Sequence, residues 1–549
     1  MTLMHFETHE VLNQSPPFED VDLYAVDRPL QDAMAANGAA GEAAGLSAFG
    51  KNFGSADMLE QARLANENGP RLKSFDLKGF RRDIVEFHPA YHRFMRESIA
   101  AGVHASTWRA DGGRAPAPAE VARAARLYMA SQVEAGHCCP VTMTRAAVAP
   151  LAVEPALRDR LMPKIVARTY DPSFRPLQEK SGITLGMGMT EKQGGTDVRA
   201  NTTRAVPDGE GYLITGHKWF FSAPMCDAFL VLAQAPGGLT CFLMPRFRPD
   251  GSVNALRLQR LKDKLGNRSN ASSEVEFTQA FAWRVGEEGR GVRTIIEMVQ
   301  ITRLDCALGS AGLMRMALAQ AVHHSRYRTV FQRKLADQPM MRTVQADLAL
   351  DMEAAVALVM RLCRSFDRAE SDPAEAARAR LLTPAVKYWV CKTAPAFIYE
   401  ALECLGGNGY VEEGPLARLY REAPLNAIWE GSGNVMCLDV LRALARERDA
   451  AMAVLNGLVR EAQDLPGAAE AGAFLATAFS RRDAEGTARH AVERLAQLAA
   501  AAALAESAPA IAPTFARARL AQPRGSTYGT AALEAAETAR LLDRALPAG

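Results

Sequence analysis

No part of this sequence approaches the ~20 uninterrupted apolar residues that a membrane-spanning helix requires, so a role inside a bilayer finds no support. The opening MTLMHFETHE lacks a basic stretch leading into an apolar run, which argues against a secretory signal and makes the cytoplasm the expected compartment. A disulfide framework is missing too. The nine cysteines are an odd, scattered set with one adjacent pair, Cys138 and Cys139, and no C-x-x-C spacing. That pattern fits a reducing environment and packing roles. Net charge is almost absent, at +2 with a pI near 8.1. Such a balance neither demands nor forbids a nucleic-acid partner, because a local patch can hide inside it. Several motifs are absent as well: G-x-G-x-x-G between strand and helix, G-x-x-x-x-G-K-[ST], H-E-x-x-H and G-x-S-x-G. Dinucleotide-binding Rossmann folds, phosphate motors, zinc proteases and α/β-hydrolases lose their main support, and no metal is expected.

What is present is enough chain for a large core. At 549 residues, 48% hydrophobic and 23% charged, the composition is that of a soluble globular protein of three or four domains. An irregular arm, HEVLNQSPPFEDVDLYAVDRP, is punctuated by Pro16, Pro17 and Pro29. From Ser55 to about Pro176 the reading is mostly helical, as in Glu120 to Gly136, where Leu127 and Ala130 recur at helical spacing. Near Gly186 the texture changes to short β-branched and aromatic runs separated by Gly, Pro, Asn and Asp, the pattern of a small antiparallel β domain. Helical periodicity returns at Val292 and runs to about Arg448, interrupted mainly at Gly406 to Gly409. An alanine-rich helical stretch completes the chain. Between Arg446 and Arg544 it holds twelve Arg, no Lys and twelve acidic residues. The expected fold is therefore α+β in four parts: residues 1–185 helical after the arm, 186–286 antiparallel β, 287–445 a helical bundle, and 446–549 an appended helical extension.

Three segments carry chemistry. In MGMTEKQGGTDV, from Met187 to Val198, an apolar run opens into a glycine- and threonine-rich loop able to approach a flat heterocycle and donate to its edge; a polar turn between strands is the plainer alternative. In GHKWFFSAP, from Gly216 to Pro224, strand alternation places Trp219 and Phe221 on one face and Phe220 on the other. Such a wall suits a flavin, and equally suits simple core. In AIWEGSGNVMCLDVLRAL, from Ala427 to Leu444, Glu430 precedes a helix N-terminus among apolar neighbours. Desolvation raises its pKa while the helix dipole lowers it. It is either a base for a weakly acidic C–H proton or a capping carboxylate.

Taken together, the segments resemble the acyl-CoA dehydrogenase superfamily. Met189 to Asp197 is similar to its T-E-P-x-x-G-S-D flavin loop, which implies FAD contacts from Met189, Thr190, Gly195 and Thr196. Lys218 to Ser222 resembles the strand covering the flavin, with Ser222 at the ring. Arg328 to Phe331 resembles R-x-x-F, and Leu405 to Tyr410 resembles L-G-G-x-G-[YF]. The likeness assigns Arg328, Phe331, Gly406 and Gly407 to a neighbouring subunit's FAD, which implies at least a dimer, with a homotetramer expected. Trp429 to Ser432 is similar to Y-E-G-T, whose Glu is the catalytic base; this implies that role for Glu430, with Ser432 and Asn434 at the cofactor. The arm with Asn13-Gln14, the GMGMTEKQGG and LKDKLGNRSNASSEVEF runs and LYREAPLNAIWEGSGN narrow the resemblance to the AidB-like branch.

The resemblance implies α-proton removal from an acyl-CoA thioester by Glu430, with a small or branched acyl group and low efficiency. Three departures bear on turnover. Trp429 replaces Tyr and is expected to narrow the acyl tunnel. Glu191-Lys192-Gln193 adds charge expected at the pocket mouth. Arg303 stands where the family keeps an arginine near the base, and a pairing with Glu430 would weaken that base; the alternative is helix packing. The AidB-like branch also implies a rival role, binding double-stranded DNA and protecting it during alkylation stress. Phosphate contacts would then come from clustered cations, with Arg481, Arg482, Arg517, Arg519 and Arg524 as the candidates. A flavin-dependent step on damaged bases is a third, unsupported option.

Overall fold

The computed structural model describes residues 8–481, 483–522 and 525–547. Arg482 and Arg524 lie outside the described residues.

The N-terminal region is helical with one correction. Arg71–Phe75 (β1) and Arg81–Glu86 (β2) form an antiparallel hairpin inside the stretch read as helix. The Asp76 carboxylate accepts from the Lys78 and Phe80 N–H groups, and Gly79 takes φ +84°. That is turn chemistry available only to such residues. Two helices of this region reach the site, α1 (Ala119–Val133) and α2 (Cys138–Ala146).

Seven strands follow in one sheet: β3 (Leu185–Gly188), β4 (Arg204–Asp208), β5 (Gly211–Ser222), β6 (Ala228–Ala235), β7 (Gly238–Pro245), β8 (Leu256–Leu261) and β9 (Ser272–Val285). Because β7 pairs with both β6 and β9, the path β6–β4–β5–β9–β7 closes on itself as a small barrel. The expectation of a purely antiparallel domain is corrected at β3, which lies parallel to β6. It arrives from the helical region rather than through a hairpin, so parallel pairing is open to it. Gly186 and Gly188 of β3 leave room for the Phe229 and Phe221 rings, which a Cβ at either position would strike.

Alternation along β5 fails at a bulge between Lys218 and Phe221. Phe221 turns into the core, 4.4 Å from Phe229. Trp219 and Phe220 share the outer side under the Lys262 ammonium, 3.2 and 4.7 Å from their ring centres. The pairing of Trp219 with Phe221 on one face is thereby corrected, since one extra residue moves every later side chain to the opposite face.

The bundle consists of α3 (Gly291–Tyr327), α4 (Pro339–Arg368), α5 (Pro373–Glu403) and α6 (Gly433–Arg446). The extension adds α7 (Arg448–Glu461), α8 (Ala468–Ser480), α9 (Ala484–Ser507) and α10 (Ala535–Ala545). It is less an appendage than part of the bundle. Leu475, Leu498 and Phe515 share one continuous apolar core with Leu127, Leu308 and Leu358. The barrel has a second core, which takes in Met143 of α2 and Ile295 and Ile301 of α3. Among the described residues no helix is long and apolar enough to cross a membrane, and no group of side chains could hold a metal ion.

Candidate active site

The chain between α5 and α6 makes a 3₁₀ turn at Leu425–Ala427 and reaches Ser432, which caps α6 through its backbone alone. Between them Glu430 takes φ +57° and Gly431 φ +108°. A left-handed non-glycine residue persists only where its surroundings over-determine it. Here the cause is visible. Lys387 of α5, 1% exposed, donates to the Asn426 and Gly431 carbonyls, each at 2.9 Å. Arg303 Nε of α3 donates to the Glu430 carbonyl at 3.0 Å. The Trp429 indole N–H donates to Asn426 Oδ1 at 2.9 Å, and Asn426 Nδ2 to Ser310 Oγ at 3.1 Å.

The expected pairing of Arg303 with the Glu430 carboxylate is corrected. Arg303 Nη1 is bound to Asp439 of α6 at 2.8 Å, and Arg380 braces the same Asp439 at 3.1 Å. Two cations around one aspartate leave the glutamate to itself. Glu430 Oε2 is buried with no hydrogen-bond partner. The capping alternative falls with it, since Ser432 holds the cap position. Burial pushes the Glu430 carboxyl up, against smaller downward pulls from Thr302, Arg303 and Lys387.

The loop after β3 carries a buried glutamate with a different fate. Burial alone would raise Glu191, but the Lys218 ammonium at 2.7 Å, the Thr202 N–H at 2.7 Å and the Gln193 amide at 2.8 Å hold it down at about 2. The expectation of added charge at the pocket mouth is corrected for Glu191. Glu191 and Lys218 are fully buried and neutralise one another inside the wall.

Glu430 opens into a cavity of about 1720 Å³ lined from both cores. Of the residues singled out in the sequence, Met189, Thr190, Gly195, Thr196, Ser222, Arg303, Trp429, Glu430 and Ser432 all line it. Arg328, Phe331, Gly406, Gly407 and Asn434 do not. Asn434 is exposed on the first turn of α6. The other four gather at a separate corner held by the arm. Asn13 Nδ2 donates to the Thr329 carbonyl at 2.8 Å, Arg328 to the Asn13 carbonyl at 2.8 Å, and Asn408 to Gln14 Oε1 at 3.2 Å. Phe331 there is 89% exposed and Tyr410 79%.

Sequence reasoning missed Lys387, Asn426, Asp439 and Lys264. Lys264 lines the cavity and is pushed down by burial to about 8. A lysine inside the apolar run LLTPAVKYWVC was the available signal for Lys387. The described arginines of the extension singled out in the sequence are each paired: Arg481 with Asp483 at 2.8 Å, Arg517 with Glu537 at 2.5 Å, and buried Arg519 with Asp347 at 2.5 Å and Asp351 at 2.8 Å.

A closed barrel between helical layers, with a buried unpaired carboxylate over a large cavity, is the frame of an enzyme with a positioned base. Family models agree with this part by part: the adaptive response protein AidB N-terminal domain matches residues 13–172, the acyl-CoA dehydrogenase middle domain 186–280 and the acyl-CoA dehydrogenase C-terminal domain 289–445. The chain belongs to the acyl-CoA dehydrogenase family, in its AidB branch. It is 50% identical to AidB of Escherichia coli K12 over 448 residues, 81% of this chain and 82% of that one. Acyl-CoA dehydrogenase family member 11 of Caenorhabditis elegans is 31% identical over 452 residues, 80% and 72% of the two chains. The crystal structure of Caenorhabditis elegans ACDH-11 with C11-CoA superimposes with a TM-score of 0.84 at 27% identity, covering 95% of each chain. FAD is the cofactor, and the reaction class is FAD-dependent oxidation of a CH–CH donor.

Proposed function

We propose that the chain oxidises the Cα–Cβ bond of a small or branched acyl-CoA, with Glu430 as the base. The observation that carries this reading is the orphaned Glu430 Oε2, buried in a cavity far larger than one small ligand needs. The residues fit FAD. Thr190 and Ser222 bring hydroxyls, Phe220 a half-exposed ring, and Met189, Gly195 and Thr196 a loop close to the same space. When bound, FAD accepts the hydride leaving the β-carbon. The protein's own part is proton handling and positioning. Glu430 takes the α-proton on a carboxylate oxygen that no cation has claimed, which keeps it basic. Trp429, latched to Asn426, holds a large ring beside the acyl path, which favours short or branched chains and modest turnover. Ser432 lies at the cofactor side of the same turn, with Asn434 next to it.

The Arg328, Phe331, Gly406 and Gly407 corner is proposed to complete the FAD site of a second copy within a homotetramer. An exposed Phe331 at φ +50° is costly on an isolated chain. Duplex DNA protection during alkylation stress, in the cytoplasm, remains the alternative. The paired Arg481, Arg517 and Arg519 support it weakly; Arg293, Arg442 and Arg446, exposed at the cavity rim, are the cations to test by salt-dependent duplex binding.

The decisive experiment mixes the holoprotein anaerobically with short and branched acyl-CoA thioesters and follows the oxidised flavin band. Bleaching that vanishes in Glu430→Gln supports the dehydrogenase. A flavin that dithionite bleaches but no thioester does overturns it for those substrates.

A further inference from the structure

Three backbone carbonyls of one short turn, those of Asn426, Glu430 and Gly431, converge on two buried cations. Nothing in the fold requires a lysine in the middle of α5 for packing. Its neighbours Val386, Val390 and Cys391 are apolar and fully buried, and a buried ammonium is expensive unless it is used. The Lys387 ammonium spans the turn, gripping it four residues before Glu430 and one residue after. Arg303 grips Glu430 itself but spends its remaining charge on Asp439. Lys387 accepts no such partner among the described contacts: its two bonds go to neutral carbonyls, so its charge stays uncancelled beside the base.

We infer that Lys387 is a positioning residue for Glu430, holding its left-handed turn by the two carbonyl bonds and favouring its ionised form by the uncancelled charge. The inference rests on Glu430 being the base, and it gives one side chain two separable tasks. The groups that face Glu430 are few. Thr302, Arg303 and Cys306 come from α3, Lys387 from α5 and Cys139 from α2, while Asp439 of α6 acts through Arg303. Both thiols are held neutral, since burial pushes Cys139 to about 12 and Cys306 well above the ordinary range. Besides Arg303, whose charge Asp439 shares, Lys387 is the cation acting on the Glu430 carboxyl, and removing it lets that carboxyl rise further.

Two substitutions separate the tasks. Lys387→Met removes both the charge and the donors. Lys387→Gln removes the charge but keeps an amide N–H pair for the carbonyls. The first readout does not depend on turnover. Thermal unfolding of the holoprotein is followed across pH for wild type and Glu430→Gln, each with and without the Lys387 substitution. The pH at which the difference between Glu430 and its Gln variant changes reports the ionisation of Glu430. It is expected at higher pH in both Lys387 variants. The second readout is the rate of flavin bleaching by acyl-CoA. The acid limb of kcat is expected to move to higher pH in both variants. Above that limb, Lys387→Gln is expected to recover near wild-type kcat, whereas Lys387→Met stays roughly 10²-fold down, with KM little changed in either. Unmoved ionisation in the unfolding experiment overturns the inference, as does an equal loss in both variants with an unshifted limb, the pattern of a merely structural lysine. Should no thioester bleach the wild-type flavin, the functional reading fails alone, because the unfolding experiment still reads Lys387 against Glu430.

Discussion

Two glutamates in loops that the family motifs mark, Glu191 buried inside the barrel wall and Glu430 on the cavity with a buried Oε2, are in opposite electrostatic states. Glu191 has an ammonium, two backbone N–H groups, a threonine hydroxyl and an amide around its two oxygens. Glu430 has an oxygen with nothing. The cations near Glu430 are present but committed elsewhere, Arg303 and Arg380 to Asp439 and Lys387 to main-chain carbonyls. The difference teaches that burial does not by itself make a carboxylate reactive. What matters is whether the fold spends its donors on the carboxylate or on the backbone around it. A saturated glutamate stabilises the loop that carries it, while an unsaturated one costs stability and keeps its basicity.

The comparison breaks most visibly at Glu430. Glu430→Gln keeps the shape and removes the base, so bleaching by acyl-CoA is expected to fall roughly 10²–10⁴-fold, with FAD retained. Stopped-flow absorbance under nitrogen measures it. Retention of more than a tenth of the wild-type rate would return Glu430 to the role of a bystander.

The next effect is on stability and belongs to Glu191. Glu191→Gln leaves the Lys218 ammonium buried without its counter-charge, an arrangement that costs about 3–5 kcal/mol, read as a lower urea midpoint and early FAD release. The pH dependence follows from the depressed pKa. Its folded value is about 2 against an ordinary 4.5, so Glu191 contributes stability that is fully present above pH 4.5 and lost as pH falls toward 2. Acid unfolding of the Gln variant is expected to lose that component. Adding Lys218→Met should recover part of the midpoint, because the orphaned charge is then gone.

Much of this is legible in the sequence. Texture alone gave the α, β, α order, and three of the five motifs, with Arg303, placed nine of the named residues on one cavity. The rest was hidden for physical reasons. The bulge in β5 depends on its pairing with β9, which no local alternation reports, so alternation alone places Trp219 and Phe221 on the same side. Arg303 lay beside Glu430 in the family pattern, but the competing Asp439 is on another helix. Arg519, a candidate phosphate contact by sequence, is buried between Asp347 and Asp351 of α4. Spacing within one helix cannot reveal a partner on another.

A gentler change tests whether Glu191 is over-provided. Gln193→Ala deletes one of its donors, at 2.8 Å, while Lys218 and the threonines remain. The loss is expected near 1 kcal/mol, the worth of one hydrogen bond, seen in the urea midpoint with the bleaching rate unchanged. A loss as large as that of Glu191→Gln would mean the cage acts as one unit rather than as separable bonds.

The smallest effect is the most discriminating, because its sign is opposite to the others. Burial holds Glu430 above the ordinary carboxyl value, so the folded state binds its proton more tightly than the unfolded chain does. At neutral pH the group must ionise inside a partly dry pocket, and that ionisation lowers stability. The penalty is absent below the ordinary carboxyl range, where both states are protonated, and grows as pH rises through the folded value. Glu430→Gln carries no such penalty. The inactive variant is therefore expected to melt slightly above wild type at pH 7 and level with it near pH 4, by scanning calorimetry of the holoprotein. The same substitution at Glu191 moves the midpoint the other way. Two Glu→Gln changes of opposite sign in one protein would tie the reactive carboxylate to the place where the fold withholds partners. A lower melting temperature for Glu430→Gln would mean that Oε2 is engaged after all and that the two glutamates differ only in degree.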